Sequence, residues 1–128
     1  MYRVDPDEML RPIDVGLTED ERRFIIAGLR QWGGPARARD ESAALSGFAT
    51  ADEMHAGSVR LRRAIEGLQD LSRRNWQRVL VLTELIFGSD AFGAGVEWET
   101  VTGRDEVADL RLLREVQRKL AGICPYAE

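Results

Sequence analysis

One cysteine, one histidine and one lysine are all that this chain of 128 residues contains of those three types, and each scarcity closes off some chemistry. A single cysteine, Cys124, forms no intramolecular disulfide, and with His55 as the lone histidine no Cys/His zinc site can be assembled within one chain. His55 and Cys124 also lack the second histidine, activating motif or nucleophile that a recognised catalytic arrangement needs. No phosphate-cradling glycine loop and no serine elbow appears. No apolar run approaches the length of a membrane span. Asp5, Asp7, Glu8 and Asp14 stand where a secretory signal needs a basic lead and an apolar stretch. The expectation is a cytosolic protein with no membrane partner, no metal and no cofactor. Because 17 of the 18 basic residues are arginine, a GC-rich bacterial coding sequence is expected as well.

What is present suits a single folded domain. Apolar residues make up 44% and charged residues 31%, and the length lies near the commonest size of one domain. The net charge of −4 is unevenly spread: residues 1–21 carry −5, residues 55–82 carry +4 and residues 83–109 carry −6. Such blocks bias the choice of partner through long-range attraction while saying nothing about fold.

Helix caps punctuate the chain. Asp5-Pro6-Asp7-Glu8 opens a short helix that Pro12 stops. Thr18 with Glu21 forms a capping box, after which Ile25, Leu29 and Trp32 recur at helical spacing over about 19–32 until Gly33-Gly34-Pro35. Gly28 shares that face, which points to close approach of another element. A short helix from about Arg37 to Leu45 closes at Gly47, with Phe48 folding back. Thr50 and Glu53 open an amphipathic helix over 51–68, and Ser72 opens one over 73–87 whose Val79 to Phe87 run is apolar nearly all round, as in a central helix. The last helix spans about 104–121 and stops at Gly122 and Pro125. The predicted fold is therefore all-α: a bundle of four main helices, two short ones and one long loop, 88–103.

That loop exceeds the roughly two to eight residues that commonly join helices, and it is the principal site candidate. Its Val96 to Val101 stretch alternates apolar and polar, as a short extended segment would, with no second strand to pair with it. Asp90, Glu97 and Glu99 suit a basic partner. Phe92 and Trp98 suit anchors in an interface, against the plainer reading that Trp98 plugs the loop onto the core. The acids, with Glu84, match no metal motif. Glu84 lies in the most apolar run and is expected to be a structural buried acid paired with an arginine from another helix.

Arg60, Arg62, Arg63, Arg73, Arg74 and Arg78 offer phosphate contacts, and residues 40–63 scan loosely as a helix-turn-helix. Asp52 and Glu53 occupy the first turn of the supposed recognition helix, where phosphates would repel them, and make better sense as cap and dipole complement. The leading expectation is a protein-binding module, in its most concrete form an immunity or antitoxin-like protein that engages a basic partner through the acidic loop. A DNA-binding regulator using the arginines is the alternative, and a small enzyme with carboxylates around Glu84 and Asp90 the third.

Overall fold

The computed structural model describes residues 6–32, 38–89, 93–94 and 97–123. The architecture is all-α, as the caps predict. In chain order it comprises α1 (Pro6–Leu10), β1 (Pro12–Ile13), α2 (Glu19–Leu29), α3 (Asp40–Leu45), α4 (Ala51–Glu66), β2 (Leu71–Ser72), α5 (Arg73–Gly88), α6 (Trp98–Thr102) and α7 (Glu106–Ala121). α2 packs against α4, α5 and α7, while α5 touches α1, β2, α2, α4 and α7, so these two helices share the centre. Phe24, Ile25, Met54, Val79, Leu82, Ile86, Trp98, Val116 and Leu120 form the water-free core.

The caps act as their residues dictate. Thr18 accepts from the Glu21 N–H at 3.1 Å while the Glu21 carboxylate accepts from the Thr18 N–H at 2.8 Å, which satisfies two orphan donors reciprocally. At the end of α3, Phe48 N–H reaches Ala43 C=O at 2.8 Å and Gly47 takes φ +84°, a left-handed cap with its apolar contact. α4 ends in the same hydrogen-bond pattern, Gln69 N–H to Ala64 C=O at 3.0 Å, with its glycine one residue before the left-handed position. Gly67 has an ordinary φ of −84° and Leu68 occupies the left-handed position at +58°, with its side chain exposed.

Gly28 lies where an added Cβ would stand 3.0 Å from Ile86 Cγ2 and 3.6 Å from Trp98 Cη2. Close packing of α5 and α6 on α2 thus explains a glycine that helix propensity disfavours.

Several boundaries differ from the sequence expectation. α2 stops at Leu29 because its last N–H groups turn to tighter partners: Gln31 N–H bonds Gly28 C=O and Trp32 N–H bonds Leu29 C=O. α3 starts at Asp40, where the Ser42 hydroxyl oxygen accepts the Arg39 N–H. α4 ends at Glu66, α5 runs on to Gly88, and α7 starts at Glu106 because the Asp105 carboxylate caps Val107 N–H. The two-residue pairing of Pro12 with Ser72 and Ile13 with Leu71 is too short to leave a period-two pattern in the sequence.

The expected long loop contains a helix, α6, in place of an extended segment. A helical turn sends Trp98 and Val101 inward together, which alternation would place on opposite faces. The Thr102 hydroxyl donates to Trp98 C=O at 2.6 Å, and Gly103 at φ +70° ends the turn. Gly93 supports the approach to α6: its N–H bonds Ser89 C=O, and any Cβ there would stand 2.0 Å from Leu85 O and 2.5 Å from Ile86 Cα.

Candidate functional site

Trp98 is fully buried. Its indole packs edge-on against Phe24 at 5.7 Å and Phe87 at 5.1 Å between centroids, and its Nε1–H donates to Asp109 Oδ2 at 2.9 Å. Of the two readings of Trp98, the structure shows the core plug, and the partner-anchor expectation is corrected: its apolar area is spent inside the fold, and its one polar atom is satisfied there.

The same contact reveals an acid that sequence reasoning passed over. Asp109 is 2% exposed and receives a forked pair from Arg104, Nε to Oδ2 at 2.8 Å and Nη2 to Oδ1 at 2.9 Å. A buried carboxylate needs such a partner, and the pair fastens the α6–α7 connection onto Trp98. The signal was an acid among the inward positions of α7.

With Trp98 internal, the surface of this corner is carried by other residues. Glu97, Glu99, Asp105 and Glu106 are exposed, as are Val107 and Leu110. Glu99 accepts Glu106 N–H at 2.9 Å and Asp105 accepts Val107 N–H at 3.0 Å, so two of the four carboxylates also serve the positive end of α7. Val107 (67% exposed) and Leu110 (43% exposed) are three residues apart on one face of α7, beside that acid. Asp90 and Phe92 lie outside the described residues.

Glu84 is half-buried, and its partner is not an arginine. Gln117 Nε2 donates to Glu84 Oε2 at 2.7 Å, while Gln117 Oε1 accepts from Arg114 Nη1 at 2.7 Å, so the amide relays between acid and guanidinium. The deeply buried glutamate is Glu21, whose carboxylate meets the chain's lone lysine, Lys119, at 2.5 Å. Burial works to raise the Glu21 carboxyl, but hydrogen bonds from Lys119 and Thr18 and the ammonium charge outweigh it and hold the group below its ordinary value.

The arginines divide into two groups. Arg62 pairs with Glu66 at 3.2 Å and Arg73 donates to Ile123 C=O at 3.1 Å. Arg60, Arg63 and Arg74 are exposed, and among the described residues no carboxylate lies within 4.0 Å of them. Asp52 and Glu53 are exposed on the first turn of α4, where Glu53 accepts Ala49 N–H. Among the described residues no three His, Cys, Asp or Glu stand close enough to hold a metal ion, and no helix is long and apolar enough to cross a membrane.

Fold and surface thus define a small all-α domain with an acidic corner bearing exposed apolar residues. Compared with known proteins, the chain matches no family model, no curated protein and no solved structure.

Proposed function

We propose that the chain is a helical protein-binding module that engages a basic partner through the corner formed by α6 and the start of α7. The observation that carries this reading is the pair Val107 and Leu110, exposed beside Glu97, Glu99, Asp105 and Glu106. An apolar centre with a charged rim is the usual anatomy of a protein interface, and the −6 block of residues 83–109 speeds encounter with a cationic surface. In its most concrete form the module is an immunity or antitoxin-like protein that covers a basic partner's working surface. The acids steer, and the two aliphatic side chains supply the desolvated contact.

The alternatives have less support. For a DNA-binding regulator, the exposed Asp52 and Glu53 put negative charge at the turn that would approach phosphates. For an enzyme built on Glu84, the carboxylate is already occupied by Gln117.

The test is low-salt capture from the native lysate on the immobilised chain, with and without nuclease, followed by purified binding of what is recovered. A basic protein that binds irrespective of nuclease, loses affinity in Val107→Ser with Leu110→Ser, and associates more slowly in Glu97→Lys with Glu106→Lys supports the reading. Binding indifferent to both pairs, or recovery of nucleic acid alone, overturns it.

A further inference from the structure

A second feature involves a separate set of residues. Between the end of α3 and the first turns of α5 lies an open cavity of about 290 Å³, near the lower end of volumes that hold small ligands. Arg74, Gln77 and Arg78 line it from α5, and Leu45, Ser46 and Gly47 from α3 and its cap.

The charge here is unmatched. Arg78 is fixed by protein acceptors: Nη2 donates to Gly47 C=O at 3.0 Å, Nη1 to Asn75 Oδ1 at 3.1 Å, and the guanidinium lies 4.8 Å from the Phe48 ring centre. Those bonds leave one further N–H on each terminal nitrogen, and the buried Nε has no acceptor. Burial first, then the charges of Arg74 and Arg60, push the Arg78 guanidinium below its ordinary value, and Glu53 offsets only part of this. Arg74 and Gln77 make no side-chain hydrogen bond to any described residue.

The rule followed by the other helices is broken at this place. Every other helix of the described residues has an acid in its first turn, whereas α5 opens with Arg73 and Arg74 and has none. Cations at a helix N-terminus work against its dipole. Three guanidiniums offset only in part by Glu53, and a cavity with no carboxylate in its lining, together call for an anion from outside.

We propose that the cavity between α3 and α5 binds a phosphate-bearing small molecule, its phosphate held by Arg74, Gln77 and the free Nη donors of Arg78 and its organic part resting on Leu45 and Val81. A phosphate rather than a carboxylate matches a local charge that one negative unit leaves uncancelled, and planar guanidiniums suit its oxygens. The cavity has room for more than the phosphate. Leu45, 59% exposed at its edge, and Val81 supply an apolar wall.

The test is amide NMR titration of the intact chain with inorganic phosphate, with ribose 5-phosphate and with sodium chloride at matched ionic strength. Saturable shifts confined to residues 44–48 and 74–81, tighter for ribose 5-phosphate than for phosphate, are expected. Arg74→Gln should weaken binding about tenfold, equivalent to about 1.4 kcal/mol, with the rest of the spectrum unchanged. Because Arg78 also braces the α3 cap, Arg78→Lys is the second variant: it keeps the charge, loses the fixed fork and should weaken binding by a comparable factor. Shifts equal to those from chloride, or affinity unchanged in Arg74→Gln, would overturn the proposal. Free phosphate binding as tightly as the sugar phosphate would overturn the role of the apolar wall. A short duplex DNA that binds through Arg60, Arg63 and Arg74 and is not displaced by ribose 5-phosphate would reassign the arginines to a nucleic-acid surface.

Discussion

Charge meets the protein interior in two ways in this domain. Around α7, each buried acid has found its cation: Glu21 holds Lys119, and Asp109 is clasped by Arg104 and by the Trp98 N–H. At the junction of α3 and α5, Arg74 and Arg78 gather near Arg60 with no carboxylate within ion-pair distance. Paired charges hold elements together, because removing one partner leaves the other's charge uncompensated at a largely buried place. Arg78 braces the α3 cap through neutral acceptors, but the charge that it and Arg74 bring has no carboxylate beside it and is explained better by a visitor.

The largest expected effect comes from breaking the paired region. Asp109→Ala strands Arg104 and the Trp98 N–H together and should cost about 3–5 kcal/mol, read from the urea midpoint and the near-ultraviolet signal of the tryptophans. Asp109→Asn, which keeps an acceptor for Trp98, should recover part of the loss.

Glu21→Gln should cost less, about 1–2 kcal/mol at pH 7, because the amide oxygen still accepts from Thr18 N–H and the Lys119 ammonium and only the charge is lost. The folded carboxyl titrates below its ordinary 4.5, so its contribution is fully present above that pH and lost as pH falls through the folded value. The gap between wild type and Glu21→Gln should accordingly close under acid, in paired melts from pH 7 to pH 3; a gap independent of pH would mean that the ion pair is idle.

Leu68→Gly separates backbone strain from charge. It relieves a left-handed leucine at φ +58° whose side chain is 69% exposed, and should stabilise by about 0.5–1 kcal/mol in the same denaturation assay. Thermal stability lower than wild type would show that the side chain holds the turn. The smallest effect belongs to the unpaired region: Arg74→Gln should leave stability within about 0.5 kcal/mol without ligand, since no protein partner is lost. A marked loss would mean that a structural partner of Arg74 exists and would weaken the contrast between the regions.

The helices were legible because their signals are local. Thr18 with Glu21, Thr50 with Glu53, and Gly47 with Phe48 announce caps within a few residues, and the core faces of α4 and α7 repeat at helical spacing. The candidate site was legible only as composition. The acids of 97–106 were visible in the sequence, but the exposure of Val107 and Leu110 was not, because an apolar residue in a helix looks the same whichever way the rest of the protein leaves it facing. Trp98 shows the converse. Its acidic neighbours suggested a surface, whereas the space against Gly28 and the rings of Phe24 and Phe87 drew it inside.

Glu84 and Asp109 mark the boundary between the two kinds of knowledge. By itself the sequence determined an all-α chain, most of its caps and the segregation of charge, since hydrogen bonds within one turn and a 3.6-residue period need no distant partner. Only the tertiary structure decided which acid was buried and what faced it: Glu84 against Gln117, 33 residues away, and Glu21 against Lys119, 98 residues away. It also decided that Arg74 and Arg78 of α5 face a cavity instead of a carboxylate. Electrostatic energy depends on separation in space and on exclusion of water, and neither is written in the spacing along the chain.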